Sequence, residues 1–326
     1  MSGFADTAAK FVEPINKLID SVSGAIGKVY EPRHIRKTAD AEAYKIQKIS
    51  DTLRENSDIP IVYSPEGVSL STTDYEQLIK RTQHRMTFQE LKKQENIESV
   101  ADKAYGLLEG ELPVTAEPVE EDWMLRFFNC VEDISNEKMQ ELWACLLAGE
   151  IKKPGTFSLR TLERLRNLTQ SEAESFQSLC KHCLRFADDL FVLNEIVYQT
   201  AFKVPTSLVL TLADCGLVVA DSDISYEAQL EIGSNLVFYT NNYAFVVDSG
   251  ISKAWAYIPI FPLTSSGIEL ANLISHSMSL SEFQSVIISI KEKFKGKTLH
   301  IYPIKSIDGT TVHYDNTVEL IDEHNC

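Results

Sequence analysis

The 326-residue sequence lacks the motifs by which most enzymes are recognised. It has no glycine-rich nucleotide loop, no nucleophile elbow and no histidine pair at metal-ligand spacing on a helix. This absence disfavours an enzyme, although a catalytic site assembled from distant residues leaves no such motif. The sequence therefore predicts no catalytic residue, no cofactor and no metal ligand.

Positive charge and long apolar runs are also scarce. The chain has 31 Lys and Arg against 47 Asp and Glu, a net charge of −16. That balance disfavours a protein whose main work is binding nucleic-acid phosphates. No stretch approaches the roughly 18 apolar residues of a membrane span, and the N-terminus lacks the pattern of a secretory signal. We therefore expect a cytoplasmic protein.

The six cysteines fit reduced thiols better than a disulfide framework, because several fall on predicted buried helix faces. Cys180 and Cys183 form the one CxxC pair, with His182 between them. Packing in a helical core is the favoured interpretation of this pair. Half of a zinc site and a redox pair are the alternatives.

Periodicity predicts a mainly helical protein with an α+β C-terminal region. A helical N-terminal arm covers residues 1–110 and an acidic, proline-containing linker covers 111–122. A helical core follows at 123–202, and a mixed region with short antiparallel strands occupies 203–326. The helix, strand hairpin and helix order of that last region suggests a winged-helix-like module by analogy.

An amphipathic first helix, starting near Pro14, is the candidate interaction element. An apolar stripe at roughly helical spacing is followed by a basic group. The stripe can pack on the rest of the chain, mediate self-association or lie on an anionic membrane surface. The candidate residues are Ile15, Leu18, Ile19, Val22, Ile26 and Val29 in the stripe, and Arg33, Arg36 and Lys37 in the basic group.

A second, more polar helix is predicted from Tyr75 to Ala104. It is the most positive region, with Lys80, Arg81, Arg85, Lys92 and Lys93. A solvated face or a coiled-coil arm is the favoured interpretation, with a nucleic-acid helix as the alternative.

Capping residues predict the boundaries of later helices. In the core we expect a cap at Ser135 with an end at Gly149, then caps at Ser158 and Thr169. Further along, Asp188 to Phe202 is predicted as a helix, and Thr264 and Ser281 as caps. Strands are expected around a turn at Asn241-Asn242. A final hairpin turning at Asp308-Gly309 would bring His300 near His313.

The densest signals lie in residues 123–169. The string ELWACLLAGEIKKPGTFSLRTLERLRNLT resembles an uncharacterised bacterial domain-of-unknown-function family associated with abortive-infection and anti-phage proteins. IGKVYEPRHIRKTADAEA and QENIESV add to the resemblance, which covers roughly half of the chain. The shared residues are mostly packing and turn residues, so the resemblance implies a context of bacterial defence and no mechanism.

The resulting expectation is a non-enzymatic defence component that acts through protein interaction or self-association. The expected partner is a second copy or another protein of the same defence system. Attachment to the inner membrane surface is a further option, and nucleic acid is disfavoured. A hydrolase or nuclease effector with a site that no motif reveals, and a winged-helix transcriptional regulator, are the alternatives.

Overall fold

The chain forms two compact units, Met1–Thr156 and Phe157–Cys326, in a computed structural model. The structure describes residues 11–27, 30, 72–248, 250, 254–274, 278–294, 297–309, 311–318 and 320. Helices dominate the first unit and an antiparallel sheet the second, so the predicted α+β organisation is confirmed. The four predicted segments, with boundaries near 110, 122 and 202, stay predictions.

In the first unit, a short antiparallel pair joins β1 (Phe11–Val12) to β2 (Val114–Thr115). The described helices are α1 (Pro14–Ile26), α2 (Thr72–Leu108), α3 (Glu121–Val131) and α4 (Glu137–Lys152). The predicted start of α1 is confirmed, because Pro14 occupies its first turn, where its missing N–H costs nothing. The predicted polar helix is confirmed as α2, which is 37 residues and roughly 55 Å long.

The core of this unit is aromatic. Phe127 of α3 stacks on Trp123 at 5.2 Å and meets the edge of Trp143 of α4 at 5.4 Å between ring centroids. All three side chains are buried. The predicted packing role of this segment is therefore confirmed.

Two predicted boundaries of α4 are wrong. Asn136, not Ser135, caps the helix: its side-chain oxygen accepts a hydrogen bond from the Met139 N–H at 3.1 Å. Gly149 does not end the helix, which continues to Lys152. The extra turn buries Glu150 and Ile151, and that burial favours helix over an early stop.

The second unit opens with helices α5 (Leu159–Asn167) and α6 (Gln170–Cys180). Caps at Ser158 and Thr169 are confirmed, the latter as a capping box with Glu172. Helices α7 (Ile196–Phe202), α8 (Thr206–Asp214), α9 (Ser265–Ala271) and α10 (Leu280–Lys291) follow. Thr264 caps α9 as predicted, but Ser279 rather than Ser281 caps α10, because only Ser279 forms the reciprocal pair with Glu282.

Eight strands form one antiparallel sheet in the order β10-β9-β7-β6-β3-β4-β8-β5. They are β3 (Leu184–Phe186), β4 (Asp189–Leu193), β5 (Ser225–Leu230), β6 (Asn235–Tyr239), β7 (Tyr243–Asp248), β8 (Ala254–Pro262), β9 (Thr298–Asp308) and β10 (Thr311–Tyr314). The predicted turns at Asn241-Asn242 and Asp308-Gly309 are confirmed. The strands of the expected winged-helix-like module belong to this one large sheet.

The helix predicted over Asp188 to Phe202 is wrong for its first half. Strand β4, which pairs with β3, occupies that part, and only residues 196–202 are helical. Leu190, Phe191, Val192 and Leu193 are all buried. A continuous apolar run of this length fits a fully buried strand as well as a helix, so periodicity could not separate the two.

The predicted approach of His300 to His313 is also wrong. His300 on β9 is opposite Val246 of β7, whereas His313 on β10 is opposite Ser306. Six residues of extended strand therefore separate the two positions, roughly 20 Å along β9. These histidines do not form a common site.

Candidate functional site

The apolar stripe of α1 faces its own unit. Leu18 and Val22 are fully buried, and Ile15, Ile19 and Ile26 are half-buried. Helix α1 packs on α2, α3 and α4. Among the members of the stripe that the structure describes, only the half-buried ones therefore reach solvent. The other proposed interaction residues, Val29, Arg33, Arg36 and Lys37, lie outside the described residues.

A buried lysine links α1 to β2 through a hydrogen bond. Lys17 is almost completely buried, and its Nζ donates to the carbonyl oxygen of Thr115 in β2 at 3.1 Å. Burial lowers the pKa of Lys17, while the nearby carboxylates of Glu117 and Glu150 oppose that shift. Glu150 is also buried and accepts a hydrogen bond from the Gly155 N–H at 2.6 Å. These charges position α1, β2 and the turn after α4.

Polar side chains also anchor the second half of α2. Asn96 donates to the carbonyl oxygen of Glu132 at 2.7 Å, and Ser99 donates to Gln140 of α4 at 2.8 Å. Gln140 in turn donates to the carbonyl oxygen of Ile134 at 2.8 Å. Asn96 and Gln140 are buried, and buried polar groups bonded in this way fix one register between helices.

The first half of α2 is different, because no described side chain from residue 76 to residue 95 is fully buried. Five exposed side chains follow one another at intervals of three and four residues, which places them on one side of the helix. We name this surface the basic face of α2. Its residues are Leu78, Arg81, Arg85, Phe88 and Lys92.

Two of the three basic side chains on the basic face make no ion pair with a described residue. Neither Arg81 nor Arg85 forms an ion pair with a described residue, and Lys92 makes only a long contact of 3.8 Å with Glu95. Lys93, by contrast, points to the body of the unit and pairs with Glu132 at 2.9 Å. That hydrogen bond raises the pKa of Lys93.

Apolar side chains complete this face. Phe88, three residues after Arg85, is 64% exposed, and Leu78, three residues before Arg81, is 48% exposed. The sequence revealed the positive charges but not this shared face, although the three-and-four spacing of the five residues could have shown it. An exposed surface that mixes cations with large apolar side chains is suited to contact with an anionic partner.

The cysteine pair lies in the second unit and is buried. Cys180 ends α6 and Cys183 follows one turn later, where its thiol donates to the carbonyl oxygen of Leu179 at 3.7 Å. Burial raises the pKa of the Cys180 thiol well above its ordinary value. Reactive thiols show the opposite shift, so this environment suits packing. Across the part of the chain that the structure describes, no group of three or more His, Cys, Asp or Glu side chains could hold a metal ion.

His182, between the two cysteines, stacks on Phe202 with ring centroids 4.4 Å apart. The carbonyl oxygen of His182 accepts a hydrogen bond from Tyr198 at 2.7 Å. Burial lowers the pKa of His182, Lys181 lowers it further, and Glu282 acts in the opposite direction. The ring therefore favours its neutral form.

The stability of the second unit should fall as His182 becomes protonated. A histidine whose folded pKa is depressed contributes stability above its unfolded pKa of about 6.5, and loses it as pH falls towards its folded pKa. His182→Phe keeps a ring against Phe202 and removes this titration. As pH falls from about 7.5 to about 5, the free energy of unfolding of wild type should therefore fall more than that of the His182→Phe variant. Urea unfolding at both pH values measures it, and a difference that stays constant with pH would contradict the prediction.

No helix in the described ranges is long and apolar enough to cross a membrane. A family model described as "protein of unknown function (DUF2806)" matches residues 80–287. That match contains the exposed charges of the basic face, the aromatic core and the cysteine pair, and it excludes α1. No curated protein and no solved structure matches the chain.

Proposed function

We propose that this chain, which belongs to the DUF2806 family of proteins of unknown function, is a non-enzymatic component of bacterial defence that acts through protein interaction. Self-association is the form of interaction that we favour. The defence context rests on the resemblance of residues 141–169 to a domain-of-unknown-function family that is associated with abortive-infection and anti-phage proteins. The family description itself defines no activity.

The basic face of α2 is the observation that carries the interaction part of this proposal. Arg81 and Arg85 are exposed and make no ion pair with a described residue. Phe88, which follows Arg85 and precedes Lys92, is also largely exposed. Such a face gains little by remaining in water, because each large apolar side chain contributes roughly 1.5–3 kcal/mol when fully buried. The anchored second half of α2 holds this face in a fixed position, which reduces the entropy lost on binding.

Phage challenge of cells with and without the gene tests the proposal. Phage should form fewer plaques on cells that carry the wild-type gene than on cells that lack it. The double variant Arg81→Glu with Arg85→Glu should restore the plaque number to that of cells that lack the gene. The matched control is Lys80→Glu with Lys153→Glu, which changes the net charge equally at two exposed positions off the basic face. Equal protection by both double variants, each shown to be folded by circular dichroism, would contradict the proposal.

Attachment to the inner membrane surface is a second candidate that the same face supports. Each basic residue near an anionic membrane adds about 1 kcal/mol, and the effect weakens with salt. Sedimentation with anionic and neutral vesicles tests it. Binding to anionic vesicles that the double reversal of Arg81 and Arg85 removes would support this candidate, and equal binding to both vesicle types would count against it.

A further inference from the structure

The first unit also carries an acidic surface, at the opposite end of α2. Residues 109–122 contain six Asp and Glu and no Lys or Arg. Glu120, Glu121 and Asp122 are exposed and make no ion pair with the described residues. We name this stretch, together with the exposed Leu125 on the next turn of α3, the acidic segment.

Apolar side chains accompany these carboxylates as well. Leu112 is 82% exposed and Leu125 is 43% exposed. Leu125 is four residues after Glu121, so the two share one side of α3. Arg126, beside them, is exposed and is the one positive charge within this turn. The acidic segment thus repeats the pattern of the basic face with the opposite charge.

The two surfaces cannot neutralise each other within one chain. Helix α2 is continuous, and the 23 residues from Arg85 to Leu108 span about 35 Å. Lys152, at the end of α4, pairs with Glu111 at 2.7 Å, just after the C-terminal end of α2. Charges so far apart are screened in physiological salt, where the Debye length is about 8 Å.

We infer that the basic face of one copy docks on the acidic segment of a second copy. This inference rests on the proposed function and specifies its partner. The exposed cations of Arg81, Arg85 and Lys92 meet the exposed carboxylates of Glu120, Glu121 and Asp122. Leu78 and Phe88 meet the exposed Leu125, which shares one side of α3 with Glu121. Both charge and apolar character are therefore complementary across the contact.

A second copy explains the two surfaces together, which nucleic acid and lipid do not. A polyanion would use the basic face and leave the acidic segment without a role. The docked surfaces differ from each other, so the contact is head-to-tail. Such a contact repeats from copy to copy and closes into a ring or extends as a filament.

A charge-swap experiment tests this contact. One variant carries Arg81→Glu and Arg85→Glu, and the other carries Glu120→Lys and Glu121→Lys. Each variant alone should be monomeric under conditions where the wild-type chain associates. Mixing them should restore association, because the unchanged acidic segment of the first meets the unchanged basic face of the second. Sedimentation velocity at about 0.1 M and about 1 M salt measures the mass, and the wild-type complex should weaken at high salt.

Several outcomes would overturn the inference. These are a wild-type chain that stays monomeric, a variant that associates alone as well as wild type, or a mixture that stays monomeric although both variants are folded by circular dichroism. Binding of a monomeric wild-type chain to duplex DNA or to anionic vesicles would also overturn it. Failure of the proposed function is separate: the charge swap would then control association while the same variants left phage protection unchanged.

Discussion

Replacing Trp143 by alanine should destabilise the first unit by about 3–5 kcal/mol. Trp143 is fully buried and meets Phe127 edge-to-face. Alanine removes the largest buried side chain of this helical core and leaves a cavity among rigid aromatic neighbours. Because many domains are stable by only 5–15 kcal/mol, this loss is a large fraction of the total stability. Urea unfolding followed by circular dichroism measures the loss.

Trp143→Phe is the informative control. The indole Nε1 of Trp143 is buried, and it has no hydrogen-bond partner among the residues that the structure describes. Phenylalanine therefore loses ring volume but no hydrogen bond, and it can keep the contact with Phe127. Its destabilisation should be well below that of alanine. If phenylalanine and alanine destabilise the protein equally, packing is not the main role of this residue.

Replacing Glu150 by alanine should have the second largest effect. The charge-assisted hydrogen bond from Gly155 to the buried carboxylate would be lost, at a cost of roughly 1.5–3 kcal/mol. The buried ammonium of Lys17 would also lose a carboxylate that stabilises its charge, which adds to the cost. The free energy of unfolding, measured by urea titration at neutral pH, should fall accordingly.

Two comparisons separate charge from general helix effects. Glu141→Ala changes an exposed glutamate of the same helix and should stay within about 0.5 kcal/mol of wild type. Glu150→Gln retains an acceptor for Gly155 and loses only the charge, so its cost should be intermediate. A Glu150→Ala variant as stable as Glu141→Ala would show that the contacts of Glu150 contribute nothing.

The sequence predicted the local features of this protein better than its long-range ones. Helix starts with a specific capping partner, such as Thr169 with Glu172, could be identified because both partners are close in the chain. The end of α4 could not, because the burial of Glu150 and Ile151 there depends on the fold of the whole unit. The strand at residues 189–193 was missed for the same reason: its burial depends on the sheet around it.

The candidate surface shows the same limit. The sequence shows the basic residues of α2, but it does not show which of them form ion pairs with the rest of the unit. Lys93 pairs with Glu132 of the loop after α3, whereas Arg81 and Arg85 do not pair with any described residue. That distinction depends on where the body of the unit ends along α2. Conversely, the apolar stripe of α1 was predicted as an interaction element, and tertiary packing buries Leu18 and Val22.

The strand order of the sheet bears on how this chain acquires its structure. Strand β4 pairs with β8 about seventy residues later, and β7 pairs with β9 across more than fifty residues. Contacts so distant in sequence require large loops to close before any stabilisation is gained, so high contact order slows folding. The helical core formed by α2, α3 and α4 comes before the sheet in the chain and has closer pairings, such as that of Ser99 with Gln140. During synthesis it should therefore become protease-resistant before the sheet, because β4 and β7 cannot pair with β8 and β9 until those later strands have left the ribosome.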